Sequence, residues 1–304
     1  MENRAVLIGS IVFVFASFIL MIAGLVYESY KAKQMRELAL SIKTETTVQT
    51  AAATQDFSMY KTLVGDDGRE MVQIPEGPFV MGSRDDDSDP DEKPEHQVYL
   101  KPYFIDLKEV TQAEYERFAK MTRRAKARIE VFEDDPAKLL KPELPAIAVT
   151  WSDAEAYCKW AGKRLPSEAE WEKAARGEGK RRYPWGGEFL PGYANIDGHE
   201  DGFRYLAPPG SFESGRSPYG LYDMAGNVGE WVADSYEETF YQKSPYRDPK
   251  GPEQGEQKVI RGGSWRETKK NVRPSKRFQA KPWRHDITVG FRCAKDIETD
   301  APAK

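Results

Sequence analysis

Ala5 to Tyr27 reads AVLIGSIVFVFASFILMIAGLVY, 23 residues without a charge. At about 1.5 Å rise per residue such a run crosses the roughly 30 Å hydrocarbon core of a bilayer with some tilt. The remaining sequence is polar, so the expected organisation is one N-terminal anchor and one folded domain outside the membrane. A cleaved signal peptide is the other reading; its apolar stretch would be shorter and a small-x-small site should follow. Within the run, Gly9 and Ser10, Ala16 and Ser17, and Ala23 and Gly24 recur every seven residues and line one helix face. A face of small side chains lets a second transmembrane helix approach closely. The expected partners are therefore other membrane protein subunits, through this face.

Charge around the run gives a weaker signal. Arg4 stands against Glu2 on one side, and Lys31, Lys33 and Arg36 against Glu28 on the other. Counting Lys and Arg alone puts the C-terminal side in the cytoplasm.

Beyond the anchor, Glu28 to Ile42 has good helix formers and no Pro or Gly, and reads as a helical extension. Lys43 to Asp56 is Thr/Ala/Gln-rich without apolar periodicity and reads as linker. The expected division is 5–27 anchor, 28–59 extension and linker, 60–296 folded domain and 297–304 loose tail. The whole chain has 304 residues with 45 Lys+Arg against 49 Asp+Glu, a balance that does not suit a polyanion binder, so no nucleic acid partner is expected. Two cysteines exclude a disulfide-dense scaffold and any four-cysteine metal site.

Three capping boxes are legible: Thr111-x-x-Glu114, Ser152-x-x-Glu155 and Ser167-x-x-Glu170. They predict helices over QAEYERFAKM, DAEAYCKWAG and EAEWEKAARG. The inward faces would be Tyr115 and Phe118; Ala154, Tyr157, Cys158 and Ala161; and Trp171, Ala174 and Ala175. Gly162 and Gly177 should stop the second and third. Short strands are expected at MVQIP, PFVMGS, VYLKPYFID, KVIRGGSW and GFRCAK. With 24 Gly and 20 Pro between these pieces, the expected class is an irregular, loop-rich α+β domain.

The segments MVQIPEGPFVMGS (71–83), YFIDLKEVTQAEYERF (103–118), VTWSDAEAYCKWAGKRLPSEAEWEKAARG (149–177), YPWGG (183–187), YANIDG (193–198), SPYGLYDMAGNVGEW (217–231), RGGSW (261–265) and GFRCAKD (290–296) lie in order along the chain. Together they resemble the formylglycine-generating enzyme, or sulfatase-modifying factor, family across the whole soluble domain. The resemblance implies that family's compact fold, distantly like a C-type lectin.

It also implies a chemistry whose residues are missing. Catalytic members carry two cysteines shortly after RGGSW that hold copper(I) and oxidise a client cysteine to formylglycine. Two soft thiolates suit Cu(I). At the matching positions this chain has Glu267, a hard oxygen donor, and Val272, which is no ligand. Formylglycine-generating activity, and copper, are therefore not expected. A sulfoxide-forming branch of the family uses an iron-binding histidine triad on an added helical domain. His96, His199 and His285 are too far apart in sequence for it, and read as surface or loop residues. No G-x-S-x-G and no Gly-rich phosphate loop supports hydrolysis or nucleotide chemistry.

What the resemblance leaves is structural. Cys158 and Cys293 match a structural disulfide of the secreted members, and a disulfide needs an oxidising compartment. That outweighs the Lys/Arg count and places the domain on the periplasmic or extracellular side of the cytoplasmic membrane. Structural calcium is implied at two loops. The first would use Asn195, the Ile196 carbonyl, Asp201 and the Phe203 carbonyl, although the segment between Asn195 and Asp201 is shorter than in the vertebrate enzyme. The second would use Asp223, the Gly226 and Val228 carbonyls, and Glu230. Oxygen donors of this kind suit Ca²⁺. The acidic run Asp85 to Glu92 reads as a solvated loop. Trp265, Arg266, Arg273, Arg277, Trp283 and Arg284 border the family's client-peptide groove; they are either binding hot spots or a Trp/Arg-stacked interior.

The function expected from these readings is a membrane-anchored, non-catalytic accessory or scaffold subunit of an envelope complex. The alternative is a periplasmic maturation enzyme of altered chemistry, like relatives linked to siderophore chromophore formation, with Glu267 as ligand or base.

Overall fold

The computed structural model describes residues 27, 30, 31, 33–36, 56–125, 127, 129, 132, 134–198 and 200–297. The expected anchor, its small-residue face and the tail beyond 297 lie outside them. Among the described residues no helix is long and apolar enough to cross a membrane. The chain divides into two units, 1–55 and 56–304. In the first, the described residues between Tyr27 and Arg36 are helical and exposed.

The second unit is α+β with short elements. Strands β1 (Thr62–Val64), β2 (Glu70–Ile74), β5 (Tyr103–Asp106) and β10 (Ala294–Asp296) form one antiparallel sheet in the order β1-β2-β5-β10. Strands β3 (Gly77–Met81) and β4 (His96–Leu100) pair as a hairpin. A third sheet, β8-β7-β6-β9, joins β6 (Gly229–Ser235), β7 (Lys258–Arg261), β8 (Phe278–Ala280) and β9 (Val289–Gly290). The expected strand VYLKPYFID is two strands, divided where Pro102 removes a ladder donor.

Helices α1 (Gln112–Thr122), α2 (Trp151–Trp160) and α3 (Glu168–Arg176) fall where the capping boxes put them, with one correction. The box that opens α2 is Thr150 with Asp153, not Ser152 with Glu155. Thr150 accepts the Asp153 amide, and Asp153 accepts the Thr150 amide in return. This starts the helix early enough to include Trp151, whose indole donates to the Val232 carbonyl at 2.7 Å. The predicted inward faces are buried: Tyr115, Phe118, Ala154, Tyr157, Cys158, Ala161, Trp171, Ala174 and Ala175. Gly162 and Gly177 end their helices with positive φ, a conformation that costs glycine little.

Cys158 of α2 is bonded to Cys293 across 135 residues, tying this helix to the strand at the end of the domain. Both cysteines are fully buried. Helix α3 runs through the middle, with Trp171 in the largest apolar cluster beside Val232, Val259 and Leu221. Sheet area alone would not hold such a fold. Buried ion pairs add to it: Lys163 reaches Asp67 and Asp106 at 2.8 Å each, all three side chains without solvent exposure.

Candidate functional site

The stretch after β7 decides what chemistry is available. Gly262 and Gly263 both adopt positive φ, letting the chain turn tightly out of the strand. A β-carbon on Gly263 would come within 2.7 Å of the Asn271 carbonyl, so the turn folds back directly onto the segment carrying Val272. Glu267 sits half-buried in that turn. Its carboxylate accepts from the Asn271 amide nitrogen at 2.7 Å, and its carbonyl accepts the Asp197 amide at 2.9 Å.

Val272 is fully buried in a cluster with Tyr183, Ala194 and Ala225, overlaid by Trp185, Phe189 and Ile196. Tyr183 stacks on Trp185 with ring centroids 5.4 Å apart and donates its hydroxyl to the Lys269 carbonyl. One of the two positions is thus packed with hydrocarbon and the other holds an oxygen donor already bonded to its neighbour. Neither residue is a soft ligand, so the pair does not fit copper(I).

The six residues read as groove or interior divide between the two. Arg273 and Arg277 are buried, the second of the two readings. Arg273 holds Glu92 through both oxygens at 2.7 and 2.9 Å. Arg277 holds Glu168 at 2.7 and 3.1 Å and lies over the Tyr241 ring. The charged partners and desolvation explain why arginine is used here: its five donors can satisfy several acceptors at once. Trp265 is also buried, edge-on to Tyr205, with the Arg266 guanidinium over its ring. Trp283 is 66 % exposed, and Arg284 reaches Asp286 at the surface.

The acidic run is not wholly solvated. Asp85 and Asp87 pair with Arg182, Asp89 with Lys276, and Asp91 and Glu92 are buried against Tyr236 and Arg273. His96 opens β4 and His285 lies in the loop before β9, each with a ring nitrogen against a main-chain carbonyl, of Pro94 and Ala148. His199 lies outside the described residues.

The residues expected to hold calcium come together in two places. In the first, Asp201 accepts the Ile196 and Phe203 amides, both at 2.9 Å, which folds the 195–203 loop around its carboxylate. Asn195 is buried and donates to the Tyr205 carbonyl and to Asn227. Its side-chain oxygen is buried without a hydrogen-bond partner. An orphaned amide oxygen next to a carboxylate loop fits a hard cation.

In the second, Asp223 adopts φ 58° and accepts the Gly210 amide. Glu230 is bound by Arg292 on both oxygens and by the Trp171 indole. Glu109, which the sequence reading did not single out, completes this buried set; both its oxygens accept from the Asn227 side-chain nitrogen, which also donates to the Ala207 carbonyl. Burial, then Asp223 and Glu230 as like charges, push the Glu109 carboxyl well above its ordinary range. Burial raises Asp223 to about 6, against the Gly210 amide and Arg292. Three acidic side chains therefore share the Arg292 guanidinium, with Lys108 also acting on Asp223. Among the described residues, no group of three or more His, Cys, Asp or Glu is arranged to hold a metal by those side chains alone. Any cation here would depend on amide and main-chain oxygens as well.

Residues 57–297 match the family of the sulfatase-modifying factor enzyme 1-like domain. The chain is 34 % identical to the formylglycine-generating enzyme of Streptomyces coelicolor, over 76 % of this chain and 90 % of that one. It is 33 % identical to the inactive C-alpha-formylglycine-generating enzyme 2 of Bos taurus, over 74 % and 87 %. The structure of PvdO from Pseudomonas aeruginosa superposes with a TM-score of 0.69 at 33 % identity, over 78 % of this chain and 98 % of that one. The match to serine/threonine-protein kinase pkn1 of Chlamydia caviae, at 37 % identity over 75 % of this chain, spans only 38 % of that relative's length. The ordered motifs, the fold and these matches agree: the chain belongs to the formylglycine-generating enzyme, or sulfatase-modifying factor, family.

Proposed function

We propose that this protein is a non-catalytic family member, anchored in the cytoplasmic membrane by residues 5–27, whose domain serves as an accessory or scaffold subunit of an envelope complex. The observation that carries this reading is the state of the two former ligand positions: Val272 buried in an aromatic cluster and Glu267 bonded to Asn271. A similar relative carries the word inactive in its name. The buried Cys158–Cys293 bond supports an oxidising compartment, hence a periplasmic or extracellular domain. Gentle detergent extraction of the full chain, followed by mass spectrometry of what accompanies it, tests the reading. Stable recovery of other membrane subunits supports it; a solitary chain with a redox metal that Glu267→Ala removes would instead favour the altered-chemistry enzyme.

Calcium has a structural role in the same reading. The orphaned Asn195 oxygen with Asp201 supports one ion, and the raised carboxyls of Glu109 and Asp223 beside Glu230 support a second near the Gly226 and Val228 carbonyls. A ligand that binds only the folded state raises its stability with concentration. Chelation should lower the melting temperature and added Ca²⁺ should restore it; an unchanged melting temperature would remove both ions.

A further inference from the structure

A cavity of about 640 Å³ opens where β4 passes into β5, facing the start of α3 and the end of β6. Its volume lies in the range of small-molecule sites. It shares no residue with Glu267, Val272 or the two oxygen-rich loops.

The apolar lining a ligand can reach is Pro102, Ala233 and Ile297, each partly exposed, backed by the buried Leu100 and Leu165. On one wall Arg164 is committed: it takes both oxygens of Glu170 at 2.7 Å and Asp296 at 2.6 Å. On the facing loop, Asp248 is held at φ 46° and accepts the Lys101 main-chain amide at 2.9 Å. Aspartate tolerates this left-handed conformation, and the bond fixes its carboxylate at the rim. The ammonium groups of Lys101 and Lys250 make no hydrogen bond among the described residues, although Lys250 is near enough to Asp296 to help lower its pKa.

Asp234, 3 % exposed, also lines the cavity and accepts the first amide of α3, from Glu168, at 2.8 Å. Burial, then the Glu168 carboxylate, raise it to about 8, so at neutral pH it adds a neutral acid and little charge. The lining then has three cations, Lys101, Arg164 and Lys250, against three anions, Glu170, Asp248 and Asp296. Lys101 and Lys250 remain able to bind an anion, and Asp248 a cation. A ligand of one sign would leave the opposite group unmatched.

We propose that this cavity binds a small zwitterion with an apolar body, the class of apolar α-amino acids and their dipeptides, its carboxylate toward Lys101 and Lys250 and its ammonium toward Asp248. Pro102, Ala233 and Ile297 receive the side chain, and Asp234 offers a hydrogen-bonding group within the lining.

Isothermal titration of the full chain in detergent uses L-leucine and L-leucyl-L-leucine as probes, with N-acetyl-leucine lacking the ammonium and leucinamide lacking the carboxylate. At least one zwitterion should bind with a millimolar or tighter Kd, and each analogue should lose at least about tenfold. Lys250→Ala, at an exposed site, and Asp248→Asn, which keeps the turn's acceptor, should each lose a similar factor with an unchanged melting temperature. Silence from both zwitterions at millimolar concentration, equal binding of N-acetyl-leucine or leucinamide, or unchanged binding in both variants would overturn the proposal. A negative result here leaves the copurification result untouched, since the cavity and the former copper site share no residue.

Discussion

The Arg292 guanidinium lies along the Glu230 carboxylate, Nε to one oxygen and Nη2 to the other, both at 2.7 Å. Neither side chain is exposed to solvent. Arg292 also donates to the carbonyls of Asp106, Leu107 and Tyr222, so one side chain joins β5, the 222 turn and β6. Removing one partner of a buried pair strands the other in low dielectric. Arg292→Met should therefore cost about 3–5 kcal/mol of unfolding free energy, read from urea denaturation. Adding Glu230→Gln to that variant should recover part of the loss.

The Cys158–Cys293 bond closes a separation of 135 residues. In the loop-entropy account a closure of this length stabilises by about 4–5 kcal/mol, and measured losses for native disulfides run about 2–5 kcal/mol. The Cys158→Ala/Cys293→Ala variant should fall in that range by chemical denaturation. An intact mass without reductant should be two hydrogens below that of the dithiol form.

Asp234 has a carboxyl near 8 in the folded chain against an ordinary value of 3.8, chiefly through burial, with Glu168 and Glu170 adding and Lys258 and the Glu168 amide opposing. Between about pH 4 and 8 the folded form keeps a proton that the unfolded form has released. Its contribution is therefore full below about pH 4 and is lost as pH rises toward 8. Asp234→Asn, which keeps an acceptor for the Glu168 amide, should flatten that part of the stability–pH curve and be the more stable form above pH 8. Denaturation at a series of pH values measures it.

The proposed loss of the ligand pair can be tested by restoration. Cysteine is smaller than valine and is at home in a buried apolar site. Glu267→Cys/Val272→Cys should therefore fold and bind one Cu(I) in competition with a chelator, whereas the natural chain should bind none at that affinity. Failure of the folded double variant to bind would show that 267 and 272 are not the pair.

The sequence disclosed what local chemistry governs. Capping residues marked the helices, and Tyr157, Cys158 and Trp171 fell on their predicted inner faces because helical spacing alone puts them there. The α2 start moved by two residues because Thr150 and Asp153 made an equally good box. Strand β6 was not read as a strand: it is buried on both faces, so GEWVADS shows no alternation. For Arg273 and Arg277 the sequence left groove and interior open, because their partners Glu92 and Glu168 are distant in sequence. Glu109 and the Asp234 cavity were invisible for the same reason, since each is assembled from segments that only the fold brings together.

We propose that the domain keeps the family's architecture without its oxidation chemistry. Purified full chain, incubated with Cu(I), oxygen, reductant and a cysteine-containing sulfatase peptide, tests it most directly by mass spectrometry of the peptide. The expected spectrum holds only unmodified cysteine, while an active family enzyme run alongside yields the aldehyde. Formylglycine produced by this chain would contradict the claim.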